Sequence, residues 1–167
     1  MTNLINKVLD ILENIESIQT VLFDNGHSSN VRIDRKPTPA ALLYTLPDWN
    51  LDISHGTAKE SADIQVFFFD RTRLDVKAED KLDIFENMGE IAREFIYRLL
   101  NDNTVRVLDD TVKITATYGE FDSFVCGCTV NLTIEEKQGE CLYTEPTQEP
   151  EPEPTQEPNE DNEENQG

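Results

Sequence analysis

Apolar residues recur at helical spacing in two stretches of the chain. The repeat predicts amphipathic helices over about residues 3–16 and 78–101, because positions three and four apart share one helix face. In the second helix, Glu94 and Arg98 also stand in the i,i+4 order that favours an ion pair. The apolar stripe of that helix consists of Ile84, Met88, Ile91, Phe95 and Leu99, with Phe85, Ala92, Ile96 and Leu100 beside it.

Alternation of apolar and polar residues predicts β-strands between and after these helices. The strand 62–70 differs from the others, because Phe67, Phe68 and Phe69 show apolar rings to both of its faces. Such a strand is usually covered on both sides, by a helix or by another subunit. The other stretches with strand character are 17–23, 31–35, 49–53, 104–108, 112–118 and 124–134, with turns at Asn25-Gly26 and Gly119–Asp122.

The segment 36–61 combines prolines with a large apolar load. Proline cannot donate a ladder hydrogen bond, so this segment is not expected to form a central strand, and a polar loop is expected to open near His55. Apolar residues on such a stretch either fold back on the core or cover a neighbouring subunit. Trp49 could therefore serve an interface or cap its own core. The candidate interface residues are Tyr44, Leu46 and Trp49 from this segment, with Phe67 and Phe69 from the next strand.

The order of elements predicts an α+β fold. A mostly antiparallel sheet with two helices packed on one face would bury all the apolar stripes. The predicted domain covers residues 1–144. Residues 145–167 form a predicted disordered acidic tail, because they contain five prolines and no large apolar side chain.

The charge of the chain narrows the classes of partner. Lys and Arg total 14 against 34 Asp and Glu, giving a net charge of −20. That balance argues against nucleic-acid binding through a basic face and against binding to anionic membranes. Nine of the acids lie in 145–167. The tail is either a solubilising spacer or a flexible arm that docks on a basic partner.

Candidate catalytic or metal-binding residues are few. Cys126 and Cys128 fall on one side of a strand and are interpreted as small core residues, since parallel Cβ vectors suit a disulfide poorly. His27, His55 and Cys141 have no partner motif, so neither a catalytic site, a metal site nor a cofactor is expected. Five aspartates fall at predicted strand ends and turns, where Asp is common. They are Asp70, Asp75, Asp109, Asp110 and Asp122.

The body of the chain, about residues 1–136, resembles the tail-terminator and head–tail joining proteins of tailed bacteriophages. The resemblance depends on an N-terminal helix leading into strands, an extended segment punctuated by Pro37, Pro39 and Pro47, and a closing hairpin. The strand 62–70 followed by the long helix looks like the central β–α step of that family. The acidic tail is not a family feature.

The resemblance implies a structural virion protein that forms a ring, usually a hexamer, and is assembled in the host cytoplasm. Such a ring contacts neck, connector and tail-tube proteins, and DNA passes through it without specific binding. No apolar run of the chain is long enough to span a bilayer, and no secretory signal is visible, so a reducing cytosolic compartment is expected before assembly. The alternatives are an acidic DNA mimic that blocks a defence protein, another non-catalytic interaction module, and an enzyme with an uncharted site.

Overall fold

The structure is a computed structural model of the whole chain. It describes residues 3–24, 36–54, 57–72, 78–118, 124–137 and 140–141. The predicted strand 31–35, the turns at Asn25-Gly26 and Gly119–Asp122, and the tail 145–167 lie outside the described residues. The proposed domain boundary at residue 144 also stays a prediction.

Both predicted helices are confirmed. Helix α1 covers Asn3–Glu13 and helix α2 covers Ala78–Asn101. Their buried residues follow the predicted stripes, although Leu100 is 55% exposed and faces away from the core. Within the described residues, neither helix is long and apolar enough to cross a membrane.

Within the described residues, seven strands form one sheet, whose main path has the order β1-β2-β3-β6-β4. β5 also pairs with β6, in line with β4, and β7 pairs with the start of β3. β1 and β2 are parallel, whereas every other pair is antiparallel, so the predicted α+β class is confirmed. The strands are β1 (Thr20–Asp24), β2 (Ala40–Ser54), β3 (Thr57–Arg71), β4 (Val105–Val107), β5 (Ile114–Tyr118), β6 (Val125–Glu136) and β7 (Glu140–Cys141).

The expectation for the segment 36–61 is wrong in two respects. Residues 40–44 of β2 pair with β1 on one side and β3 on the other, so this half of the strand is central. The expected polar loop after His55 is also wrong. β2 ends at Ser54 and β3 begins at Thr57, so the two strands form one long hairpin. Pro47 falls where the β2–β3 register shifts, a position at which a strand tolerates a residue that cannot donate.

The sheet carries an apolar cluster on each face. On the helix face, α1 and α2 cover alternate residues of β2, β3 and β6, and the ring of Phe68 lies 5.6 Å from that of Phe95. On the second face, Phe67 and Phe69 stack with ring centroids 5.0 Å apart. The prediction that this strand is buried on both faces is therefore confirmed. The other buried members of the second cluster are Leu22, Ala40, Leu42 and Val125.

Strand β6 needs a glycine where it crosses the centre of β3. Gly127 pairs with Phe69, and a Cβ atom at Gly127 would lie 1.9 Å from the carbonyl oxygen of Phe68. The next residue, Cys128, pairs with Phe68 and lies with it on the helix face. The predicted strand 124–134 begins one residue too early, because Phe124 precedes β6 and is 52% exposed.

Candidate subunit interface

The outer half of the β2–β3 hairpin extends beyond the region that the helices cover. We call it the distal hairpin and define it as residues 49–54 of β2 with residues 57–61 of β3. Its two strands pair in continuous register from Asn50 opposite Ser61 to Ser54 opposite Thr57. Regular pairing over this length keeps the distal hairpin extended, because each residue is held by the strand opposite.

Two large apolar side chains of the distal hairpin face solvent. Leu51 is 55% exposed and Ile53 is 64% exposed. They share the side of the sheet on which Ala62 contacts the helices, since Trp49 pairs with Ala62 and the period of a strand is two. The distal hairpin therefore continues the apolar helix face past the end of its own covering helices.

The outer edge of the distal hairpin has no strand partner among the described residues. β1 pairs with β2 only as far as Tyr44, so the backbone groups of residues 49–54 that point away from β3 lie on an open edge. Natural sheets usually protect such an edge with charge, proline or a covering element, because it pairs readily with another strand. An open edge next to exposed Leu51 and Ile53 is a surface suited to association.

A partly buried ion pair connects helix α1 to the base of the distal hairpin. The side chain of Glu136, 4% exposed, lies 3.4 Å from Nζ of Lys7. The backbone N–H of Glu60 donates to the other carboxylate oxygen of Glu136 at 3.4 Å. The carboxylate of Glu136 on β6 thus links α1 to β3 at the base of the distal hairpin.

The opposite edge of the sheet consists of β5 and β4, which lie in line along β6. The turn before β4 is ordered by Asp102, whose carboxylate accepts hydrogen bonds from the N–H groups of Thr104 and Val105. Burial alone would raise the pKa of Asp102, but these hydrogen bonds outweigh it and hold its pKa below the ordinary value. The turn after β4 is ordered by Asp109, which accepts from the N–H of Thr133 at 2.5 Å.

The structure separates the five predicted interface residues into two groups. Phe67 and Phe69 are 2% and 1% exposed within the single chain, and Tyr44 packs half-buried beside them. These three residues contribute to the second-face cluster. Leu46 and Trp49 lie on β2, but their side chains are outside the described part of the structure. Sequence reasoning missed Leu51 and Ile53, although the alternation over 49–53 had marked them as strand residues.

The described thiols are poor nucleophiles. Burial raises the pKa of Cys128 to about 12, and burial also raises the pKa of Cys126. Both are free and buried, in agreement with the prediction that they are small core residues. His27 and His55 lie outside the described residues, as does the side chain of Cys141. In the described part of the chain, no three His, Cys, Asp or Glu side chains lie close enough together to hold a metal ion.

An open groove of about 710 Å³ runs along the outer side of α2. One of its lining residues is Arg98, which pairs with Glu94 at 2.7 Å and donates to the carbonyl oxygen of Asn14 at 2.9 Å. The predicted i,i+4 ion pair is thus confirmed, and Arg98 satisfies a carbonyl just after the end of α1. These contacts join the two helices and explain the groove as part of their packing.

Comparison with known protein families gives no matching family model, and no curated protein matches the chain significantly.

Proposed function

We propose that this protein is a non-catalytic structural subunit of a tailed-bacteriophage virion, with the role of a tail terminator. It would form a ring at the head–tail junction, cap the tail tube and let DNA pass. The observation that supports this proposal is the distal hairpin, which carries an open strand edge and exposed Leu51 and Ile53.

Subunits can form a ring when the open edge of each one contacts a different surface of the next. Such head-to-tail contacts close into a ring if the rotation between neighbours allows it. The sheet has a second edge at β4 and β5, on the side opposite to the distal hairpin, where the N–H of Val105 already donates to Asp102. Each subunit therefore has two dissimilar edges with which to contact two neighbours.

The charge of the chain is compatible with a channel for DNA. A net charge of −20 per subunit is multiplied around a ring, and an acidic lumen repels phosphate and prevents DNA from adhering. In this proposal the partners are copies of the chain, neck or connector proteins and tail-tube proteins. DNA passes through without specific contacts, and no membrane is involved.

The principal alternative is an acidic DNA mimic, which needs an array of carboxylates on the folded surface. Helix α2 does carry four carboxylates at helical spacing, on Asp83, Glu86, Glu90 and Glu94. The last two are ion-paired with arginines of the same helix, which halves the charge available for mimicry. These carboxylates are consequently a weaker basis for function than the open edge of the distal hairpin.

Electron microscopy of the purified full-length protein tests the proposal. We expect closed rings of uniform size with a central channel, and we expect these rings to bind the end of isolated tail tubes that lack a terminator. Rings that never bind tube ends would contradict the terminator role. A monomer that displaces DNA from a DNA-binding protein would favour mimicry.

A further inference from the structure

Charged side chains of alternating sign cross the second face of the sheet, at the end of the sheet where the distal hairpin lies. Asp52 of β2 pairs directly with Lys59 of β3, and Nζ of Lys59 lies 3.8 Å from the carboxylate of Glu135 on β6. Glu135 pairs directly with Arg106 of β4. The row reads negative, positive, negative, positive across four strands, and we call these four residues the charge row.

The charge row ends on opposite signs at the two edges of the sheet. Asp52 is exposed on the open edge of the distal hairpin, and Arg106 is exposed on the edge formed by β4. Oppositely charged residues directly across from each other stabilise strand pairs, whereas like charges destabilise them. At these two positions, therefore, the two edges of one subunit carry complementary charges.

From the charge row we infer that neighbouring subunits join by antiparallel pairing of residues 51–53 of one copy with β4 of the next. This inference rests on the proposed ring and names its subunit contact. The register places Asp52 opposite Arg106, Leu51 opposite Val107, and Ile53 opposite Val105. Leu51 then lies beside the partly buried Val107 of the neighbour, whereas Val105 is already fully buried in its own subunit.

The topology of the sheet already has the direction that this pairing requires. β2 and β4 are antiparallel to each other within one sheet, since β2 opposes β3, β3 opposes β6, and β6 opposes β4. Placing a second copy beside the first, with the same face outward, brings the neighbouring β4 antiparallel to the distal hairpin. The charge row then continues from one subunit into the next.

Pairing of two distal hairpins with each other is less favourable. A two-fold pairing with Leu51 opposite its own copy places Asn50 opposite Asp52 and leaves both aspartates without a cation across the interface. Shifting that pairing by one step places Asp52 opposite its own copy, where like charges repel. Self-pairing would also close a dimer and leave the β4 edge unused.

Charge exchange tests the inference on the full-length protein. We expect Asp52→Arg and Arg106→Asp each to lower the mass measured by light scattering from that of the ring to 19.1 kDa, the mass of one chain. The double variant restores an Asp–Arg pair at every contact and should restore the ring. Asp83→Arg, on the exposed side of α2, makes the same charge change away from both edges and should leave the ring intact.

A second measurement covers the case in which Arg106→Asp fails to fold beside Glu135. A chain that carries both Asp52→Cys and Arg106→Cys should form intermolecular disulfides on mild oxidation. The reason is that directly opposed residues of paired strands have Cα atoms within disulfide range. A denaturing gel should then show a ladder of linked chains.

The outcomes separate the inference from the proposed function. If both single variants form rings of the same mass as the wild type and the cysteine pair stays unlinked, the inferred contact is wrong. The proposed ring is then not affected. If the double variant fails to recover rings although it is folded, the inferred register is wrong. A wild-type monomer overturns both the inference and the proposed function, and a wild-type dimer indicates self-pairing instead.

Discussion

The two halves of the β2–β3 hairpin differ in how far their large apolar side chains are buried. In the inner half, which pairs residues 40–45 of β2 with residues 64–69 of β3, Leu43 and Phe68 are fully buried and contribute to the helix-face core. In the distal hairpin, Leu51 and Ile53 are more than half exposed, although the two halves share the same strands. The register shift between Thr45 and Trp49 separates them. One continuous hairpin thus provides both the centre of the fold and a surface for association.

The difference lies in what covers each half. Apolar surface that is already buried in the subunit stabilises the fold, at roughly 25 cal/mol per Å². Apolar surface that stays exposed contributes nothing to folding and becomes favourable only when a partner covers it. Substitutions in the two halves should therefore affect different measurements, and the following predictions test that division in order of expected size.

The largest effect is expected from truncation in the inner half. Phe68→Ala removes a fully buried ring that packs against Phe95, and the cavity should lower the free energy of unfolding by about 3–5 kcal/mol. Denaturant unfolding followed by circular dichroism measures this loss. Phe124→Ala removes the same atoms from an exposed position and is expected to change stability by less than about 0.5 kcal/mol. Equal losses in both variants would contradict the assigned core.

A smaller loss is expected where the two halves meet. Lys7→Met removes the cation beside the buried carboxylate of Glu136 and should cost about 1–3 kcal/mol of unfolding free energy. The same unfolding experiment measures it, and Lys113→Met at an exposed position provides the control. If the stability of Lys7→Met equals that of the control, the ion pair does not anchor α1 to the base of the distal hairpin.

A still smaller, pH-dependent effect is expected at the β4 edge. Asp102→Ala removes two backbone hydrogen bonds before β4 and should cost about 1 kcal/mol at neutral pH. Because folding lowers the pKa of Asp102, its contribution is present above its ordinary value of 3.8 and is lost as the pH falls through the folded-state pKa. The difference in stability between wild type and variant should therefore shrink below about pH 4. A difference that is constant from pH 7 to pH 3 would refute this role.

The helices and most strands could be predicted because their signals are local. The spacing of Ile91, Phe95 and Leu99 is sufficient to define a helix face before any tertiary contact is known. The continuity of β2 could not be predicted. A proline such as Pro47 can end a strand, or it can lie at a register shift within one, and the pairing of the opposite strand decides which. That pairing is a long-range property.

The candidate interface was harder to predict for the same reason. Phe67 and Phe69 were recognised as residues that need a cover, but the sequence could not show that the chain buries them itself. Leu51 and Ile53 alternate like ordinary half-buried strand residues, and their exposure depends on where the two helices end over the sheet. The charge row is likewise invisible in the sequence, because Asp52, Lys59, Glu135 and Arg106 meet only through strand register.

The central claim is that Leu51 and Ile53 of the distal hairpin serve association and not folding. Light scattering of wild type beside the variant Leu51→Asp with Ile53→Asp tests it directly, with thermal unfolding recorded on both. We predict that wild type has the mass of a closed ring, about 115 kDa for six chains of 19.1 kDa, and that the variant has the mass of one chain with an unchanged unfolding transition. A variant that keeps the full ring mass, or that unfolds, would contradict the claim.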